Sequence, residues 1–100
     1  MSELKKISFI IIAYNEERNI ANCIRSISNQ EELKNSDYEV IVVNDGSKDK
    51  TANIVFDLSK NSKRIQLIDL QENRGRGFAR YEGAKKAKGD YIVFIDADIT

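Results

Sequence analysis

The apolar positions of the chain change period several times, and four runs predict strands. Continuous β-branched runs at residues 7–13 (ISFIIIA) and 38–44 (YEVIVVN) are typical of strands buried on both faces of a sheet. Residues 64–70 (RIQLIDL) alternate more and predict an edge strand. Residues 91–98 (YIVFIDAD) predict a core strand that ends in two carboxylates.

Three segments between these strands carry apolar or small residues at helical spacing: residues 15–30, 47–61 and 75–89. The inward-facing positions are expected to be Ile20, Ile24 and Ile27 in the first, Ala52, Val55, Phe56 and Ser59 in the second, and Ala79, Gly83 and Ala87 in the third. The third set predicts a small-residue face for close packing.

Polar residues at the ends of these segments predict where the helices begin and end. Asn15 is the expected N-cap of the first helix, with Glu16 and Glu17 in its first turn, where the helix dipole favours carboxylates. Ser47 or Asp49 is the expected cap of the second helix. Gly89 is the expected C-terminal end of the third.

This order predicts one α/β domain over residues 1–100: a parallel, Rossmann-like β-α-β-α-β-α-β sheet with helices on both faces. If the first three strands run outward in the order 3-2-1, the fourth must return beside the first. Ligands of such sheets bind beyond the carboxyl ends of the strands, where the strand order reverses. The sequences AYNEE, NDGS and DAD would then line one crevice.

Composition narrows the chemistry that this crevice can perform. Lys plus Arg and Asp plus Glu both number 16, so the basic excess of a nucleic-acid-binding protein is missing. No histidine is present, which excludes His triads and His zinc sites. The only cysteine, Cys23, cannot form an internal disulfide; it is expected in the core and favours a reducing, cytoplasmic compartment.

The carboxylates Asp96 and Asp98 are one residue apart and would point to the same side of an extended segment. Close carboxylates repel, and a protein commonly offsets that repulsion with a cation. Oxygen ligands at an open site suit Mg²⁺ or Mn²⁺. A solvated acidic turn is the alternative for this pair taken alone.

Two further positions at the strand ends are candidates for nucleotide contacts. Turn chemistry accounts for Gly46 but not for Asp45, whose carboxylate would face the crevice and suits the N–H groups of a nucleobase edge. Tyr14 is either a core residue or a platform for a base or ribose.

The segment NRGRGFAR, residues 73–80, brings arginines close to the same crevice. Arg74, Arg76 and Arg80 suit a diphosphate or the task of holding Asp45, and a solvated basic helix start is the alternative. Its G-x-G-x-x-R spacing matches a dinucleotide fingerprint weakly, because the third small residue is missing.

Three stretches together, ISFIIIAYNEERNI, YEVIVVNDGSKDKT and NRGRGFARYEGAKKAKGDYIVFIDAD, resemble the N-terminal half of inverting, family-two glycosyltransferases with the GT-A fold. The likeness covers nearly the whole chain. Residues 73–98 look most like the branch that includes dolichyl- and polyprenyl-phosphate sugar transferases. The resemblance implies binding of a UDP- or GDP-linked sugar and, in the full-length enzyme, transfer to a hydroxyl or lipid-phosphate acceptor.

The resemblance also implies roles for particular residues. Those expected at the nucleotide are Ala13, Tyr14, Asn15, Glu16, Asp45, Arg76, Arg80 and Asp96. Asp98, together with Asp96, would hold Mn²⁺ or Mg²⁺ against the diphosphate. The general base is expected beyond Thr100, so no catalytic residue is assigned and these 100 residues alone are expected to be inactive.

The chain departs from the family pattern at two positions. Ile12 replaces a frequent proline, which should change the backbone little. Asn44 replaces the frequent first aspartate of a DDGS turn, which is expected to alter hydrogen bonding on the base or metal side.

Other functions stay open at this point. The main alternative is a stand-alone nucleotide-binding or oligomerising module without catalysis. A receiver-like signalling domain fits poorly, because its acidic pair usually follows the first strand, where this chain has AYNEE. We expect the chain to be a fragment of a larger cytoplasmic enzyme, with the cytoplasmic face of a membrane as the alternative location of the parent. Self-association is also expected, because a sheet that ends after its fourth strand exposes an edge and apolar surface.

Overall fold

The computed structural model describes residues 6–30, 33 and 37–97. Their strands, β1 (Ile7–Ala13), β2 (Tyr38–Asp45), β3 (Ile65–Leu70) and β4 (Tyr91–Asp96), form a parallel sheet in the order β3-β2-β1-β4. The helices are α1 (Ile20–Ser28), α2 (Thr51–Lys60) and α3 (Arg76–Lys86). The predicted fold class and strand order are confirmed. No helix among the described residues has the length and apolarity needed to cross a membrane.

Alternate side chains of the central strands supply two cores, one on each face of the sheet. On one face, Ile11, Val40 and Val42 pack with buried residues of α1 and α2. On the other face, α3 covers Ile10 and Val43. The continuous apolar runs at residues 7–13 and 38–44 are explained by burial on both faces of the sheet. The small residues on one face of α3 allow this helix to pack close to the sheet.

The first helix begins later than the sequence predicted. Its N-cap is Asn19 and not Asn15, so Glu16 and Glu17 precede the helix instead of occupying its first turn. Asn15 adopts a left-handed backbone conformation with φ 53°. The backbone N–H groups of residues 15–17 donate to side chains of the β2–α2 turn and of Thr51, the first residue of α2, and these bonds hold the segment outside the helix.

Two other expectations about the helices are wrong. Phe56 is 53% exposed, because the face of α2 that meets the sheet is the stripe of Thr51 and Val55. The third helix ends at Lys86, and Gly89 lies beyond it. A Cβ atom on Gly89 would lie 2.6 Å from Ser8 Oγ, so glycine allows the chain to pass close to β1 there.

Strand β4 is also less buried than its apolar run predicted. Tyr91, Ile92, Val93 and Phe94 are all exposed, and within the described residues β4 pairs with β1 alone. The apolar pattern predicted the strand correctly, but its prediction that the strand is buried was wrong.

Candidate functional site

The carboxyl ends of β1, β2 and β4 meet at one cavity of about 310 Å³. Strand register brings Ile12 beside Asp96 and Ala13 beside Asn44. This is the place where the strand order reverses, between β1 and β4. The crevice that the sequence predicted is therefore present, and residues far apart in the chain meet there.

The cavity opens on the face of the sheet that carries α3. From the strand ends it is lined by Ile12, Tyr14, Glu16, Asp45, Asp96 and Ala97. The β3–α3 loop and the start of α3 add Asn73, Gly75 and Arg76. An α-helix N-terminus carries unpaired N–H groups and partial positive charge, so this wall of the cavity favours an anion.

Asp45 is buried, yet it lines the cavity. Its two carboxylate oxygens accept backbone N–H groups of Arg74, at 2.8 Å, and of Gly75, at 3.1 Å. One interpretation of the sequence was that arginine side chains hold Asp45. The structure shows instead that the loop backbone holds this carboxylate. Each carboxylate oxygen has two lone pairs, so Asp45 keeps capacity for another donor.

Some residues at the end of β1 and in the loop after it line the cavity, and others do not. Tyr14 is 45% exposed and lines the cavity, which rules out the core alternative. Glu16 lines it as well. Ala13 is fully buried, and the Asn15 carboxamide accepts the Lys48 N–H at 2.9 Å, so neither is among the lining residues.

The three arginines have different surroundings. Arg76 lines the cavity, with Nη1 3.6 Å from Asp96 Oδ2. Arg74 lies over the Phe78 ring, and Arg80 lies over the Phe94 ring, 5.8 Å from its centroid. Of the two arginines predicted to contact nucleotide, the structure brings only Arg76 to the cavity wall.

The charges of the lining residues favour a cation. Three carboxylates, of Glu16, Asp45 and Asp96, face one guanidinium, of Arg76. Oxygen donors of this kind fit Mg²⁺ or Mn²⁺. Within the described residues no three His, Cys, Asp or Glu side chains form a metal cluster, and Asp98, the predicted metal ligand, lies outside those residues.

Some lining residues escaped the sequence prediction. Asn73 and Gly75 lie in the NRGRGFAR segment, of which the sequence predicted only the arginines as site residues. Asn73 donates to the Asp45 carbonyl at 3.2 Å. Gly75 has φ 91°, which glycine adopts readily. The position of Gly75 between a predicted strand and a predicted helix was the sequence feature that could have indicated a site residue here.

The buried thiol of Cys23 fits its predicted role as a core residue. Burial raises the pKa of this thiol, and the Glu16 carboxylate raises it further. A protonated, buried thiol is a poor nucleophile.

Curated relatives match almost the whole chain. Poly-beta-1,6-N-acetyl-D-glucosamine synthase of Staphylococcus aureus strain COL is 40% identical over 98% of the chain, which spans 23% of that protein. The synthase of Staphylococcus epidermidis is 36% identical over 96% of the chain, which spans 22% of that protein. The chain thus spans about a quarter of the length of these relatives.

Solved structures share the fold. S. aureus TarS 1-349 in complex with UDP-GlcNAc superimposes with a TM-score of 0.82 and 33% identity, covering 93% of this chain and 26% of TarS. The mannosyltransferase PcManGT of Pyrobaculum calidifontis, in complex with GDP-Man and Mn²⁺, has a TM-score of 0.84 and 26% identity, covering 97% of this chain and 28% of its own.

The family model described as glycosyl transferase family 2 matches residues 8–100. With the parallel sheet, the cavity at its switch point and the GT-A neighbours, this match identifies the chain as a member of glycosyltransferase family 2.

Proposed function

We propose that the cavity binds the nucleoside diphosphate of a sugar donor and that this chain is the donor-binding portion of a glycosyltransferase. The observation that carries the proposal is the meeting of Tyr14, Asp45 and Asp96 around one cavity at the strand-order reversal. Ligands of open α/β sheets bind at that location.

Each wall of the cavity suits one part of such a donor. The exposed ring of Tyr14 offers a face for a base or ribose, and Asp45 offers a carboxylate to base N–H groups. The N-terminus of α3 and the Arg76 guanidinium suit the diphosphate. Asp96 then lies on the side of the ribose or the metal.

A divalent cation fits the excess of carboxylates over cations among the lining residues. Asp96, with Asp98 as the sequence predicts, would hold Mn²⁺ or Mg²⁺. When bound, the ion would act as a Lewis acid that offsets negative charge on the departing nucleoside diphosphate.

The relatives favour a UDP-linked sugar over a GDP-linked one. TarS, solved with UDP-GlcNAc, is 33% identical to this chain, and the mannosyltransferase solved with GDP-Man is 26% identical.

In the full-length enzyme we propose inverting transfer to a hydroxyl or lipid-phosphate acceptor, with a general base that these 100 residues do not supply. The chain alone would then bind a donor without turning it over.

Calorimetric titration of UDP and GDP, each with and without Mn²⁺, tests this proposal. We expect UDP to bind in a Mn²⁺-dependent way, and Asp96→Asn to lose most of that dependence. Asp57→Asn, an exposed carboxylate on α2, is the matched control and should bind as the parent does. A folded chain that binds neither nucleotide would overturn the proposal.

A second function, self-association, is favoured by β4. Four consecutive side chains of this strand, from Tyr91 to Phe94, are 40–57% exposed. An uncovered apolar strand is a ready surface for pairing with another copy. Sedimentation across micromolar concentrations should show dimers or larger species that Phe94→Lys reduces, and a purely monomeric chain would contradict this.

A further inference from the structure

Two loops at the edge of the cavity are joined to one another by hydrogen bonds. The Asn15 N–H donates to Ser47 Oγ at 2.8 Å, and the Lys48 N–H donates back to Asn15 Oδ1 at 2.9 Å. The Glu16 N–H donates to Thr51 Oγ1 at 2.9 Å. The β1–α1 loop is therefore fixed by the β2–α2 turn.

This connection determines where two cavity-lining side chains lie. Tyr14 and Glu16 flank Asn15, whose left-handed backbone, with φ 53°, turns the chain between them. Asparagine tolerates this conformation better than most residues, but it still needs local hydrogen bonds to hold it. Ser47 supplies the partner for the Asn15 N–H.

Asn44 lies beneath the turn and is 2% exposed. Its amide Nδ2 donates to Asp69 Oδ1 at 2.7 Å, and its Oδ1 accepts the Ser47 N–H at 3.3 Å. A line of hydrogen bonds thus runs from Asp69 on β3 through Asn44 and Ser47 to Asn15. Asn44 itself is not among the residues that line the cavity.

We propose that Asn44 is a positioning residue for the candidate nucleotide site. Its carboxamide fixes Ser47, and Ser47 fixes Asn15, which sets the placement of Tyr14 and Glu16. This inference rests on the proposed function for its effect on binding, but its effect on the two loops can be measured without any ligand.

The chemistry of the position explains why a carboxamide is needed in this chain. Only a group that donates and accepts at once can bond to both the Asp69 carboxylate and the Ser47 N–H. An aspartate at position 44 could accept from Ser47 but would place its charge against that of Asp69. Asn44, which stands where the family often has aspartate, is thus chemically complementary to Asp69.

An exchange of the two side chains provides the test. Asn44→Asp alone should lower affinity for UDP with Mn²⁺ by about tenfold. The double variant Asn44→Asp with Asp69→Asn should restore affinity to within about threefold of the parent, because Asp at 44 can then accept from both Ser47 and the new amide at 69. Asp69→Asn alone keeps an acceptor for Asn44 and should bind nearly as the parent does.

A second readout separates positioning from loss of stability. In ¹H–¹⁵N spectra without ligand, the Asn15 and Glu16 amide signals should move in Asn44→Asp and return in the exchanged pair. Ser47→Ala removes the intermediate hydroxyl and leaves the β2 core intact, so it should move the same signals even if Asn44→Asp fails to fold.

Two results would overturn the inference: Asn15 and Glu16 signals that stay unchanged in both Asn44→Asp and Ser47→Ala, or an exchanged pair that remains as impaired as Asn44→Asp. If the parent chain binds neither UDP nor GDP, the proposed function fails, and the spectra alone decide whether Asn44 fixes the loops.

Discussion

Strands β2 and β4 carry similar apolar sequences, YEVIVVND and YIVFID, but differ in exposure. Strand β2 has β1 and β3 on its two sides and helices over both faces, and Val40 to Val43 are fully buried. In the part of the chain that the structure describes, β4 pairs with β1 only, and its first four residues are exposed. An apolar run therefore reports the capacity of a strand for burial, while its neighbours determine how much burial occurs.

The largest expected effect comes from truncating matched isoleucines in the two strands. Ile41→Ala, in fully buried β2, should lower the free energy of unfolding by about 3–4 kcal/mol, through lost burial and a cavity. Ile92→Ala, 43% exposed in β4, should cost about 1 kcal/mol or less. Urea unfolding followed by circular dichroism measures both.

Equal losses in the free energy of unfolding at the two positions would contradict this expectation, because they would mean that β4 is buried in solution. Repeating the measurement at lower protein concentration would then show whether a second copy supplies the cover.

The next effect tests how closely α3 approaches the central strands. A Cβ atom on Gly83 would lie 2.6 Å from Ile10 Cγ2, so Gly83→Ala should cost about 2 kcal/mol. Gly77, on the same helix, has nothing within 4 Å of such an atom, and Gly77→Ala should stabilise by about 0.5 kcal/mol. Thermal unfolding should shift in opposite directions for the two variants. A Gly83→Ala variant at least as stable as the parent would argue against close packing of α3.

A smaller effect concerns the contact that ties the start of β4 to β1. Ser8 Oγ accepts the Gly89 N–H at 2.8 Å and donates to Glu39 Oε2 at 2.6 Å. Ser8→Ala should cost about 1–2 kcal/mol, because it leaves the partly buried Gly89 N–H without this partner. Amide exchange should accelerate in β4 more than in β2. Ser59→Ala, on α2, is the control and should alter neither strand.

The smallest effect is a pH dependence at the loops that follow β1 and β2. Burial raises the pKa of Asp49, but hydrogen bonds from Thr51 and from the Glu17 N–H lower it more, so the pKa lies below its ordinary 3.8. A lowered folded pKa means that the charged carboxylate adds stability above pH 3.8, which is lost as the pH falls through the lower value.

Asp49→Asn should therefore reduce the free energy of unfolding most at neutral pH, and the difference from the parent should shrink on acidification. Asp57→Asn, which changes an exposed carboxylate on α2, is the matched control. A constant difference across acid pH would show that the Asp49 charge does not stabilise these loops.

Much of the site was predictable because its residues follow strand ends. Tyr14, Glu16, Asp45, Arg76 and Asp96 were all assigned from the sequence, and all line the cavity. Parallel strands present their carboxyl ends at the same edge of a sheet, so polar residues after each strand must gather there. Asn73 and Gly75 were missed because a loop residue's direction depends on backbone angles that the pattern does not encode.

The roles of Asn15 and Asn44 show the limit of prediction from local sequence. Asn15 resembles a helix cap, yet it holds two loops together through Ser47 and Lys48. Asn44 seemed to affect the base or metal side, yet it bonds to Asp69 on a neighbouring strand. Both partners are distant in sequence, so the competition between local capping and long-range hydrogen bonds could be decided only in the folded chain.

Sequence alone was enough to predict the element types, their order and the parallel sheet, since the periods of 2 and 3.6 and the short connections allow few topologies. The tertiary structure alone decided that Asp45 is held by the loop backbone, that Arg76 and not Arg80 reaches the cavity, and that β4 is exposed. The physical reason is that periodicity reports which side of an element is apolar, whereas hydrogen-bond partners and cover depend on neighbours that only folding brings together.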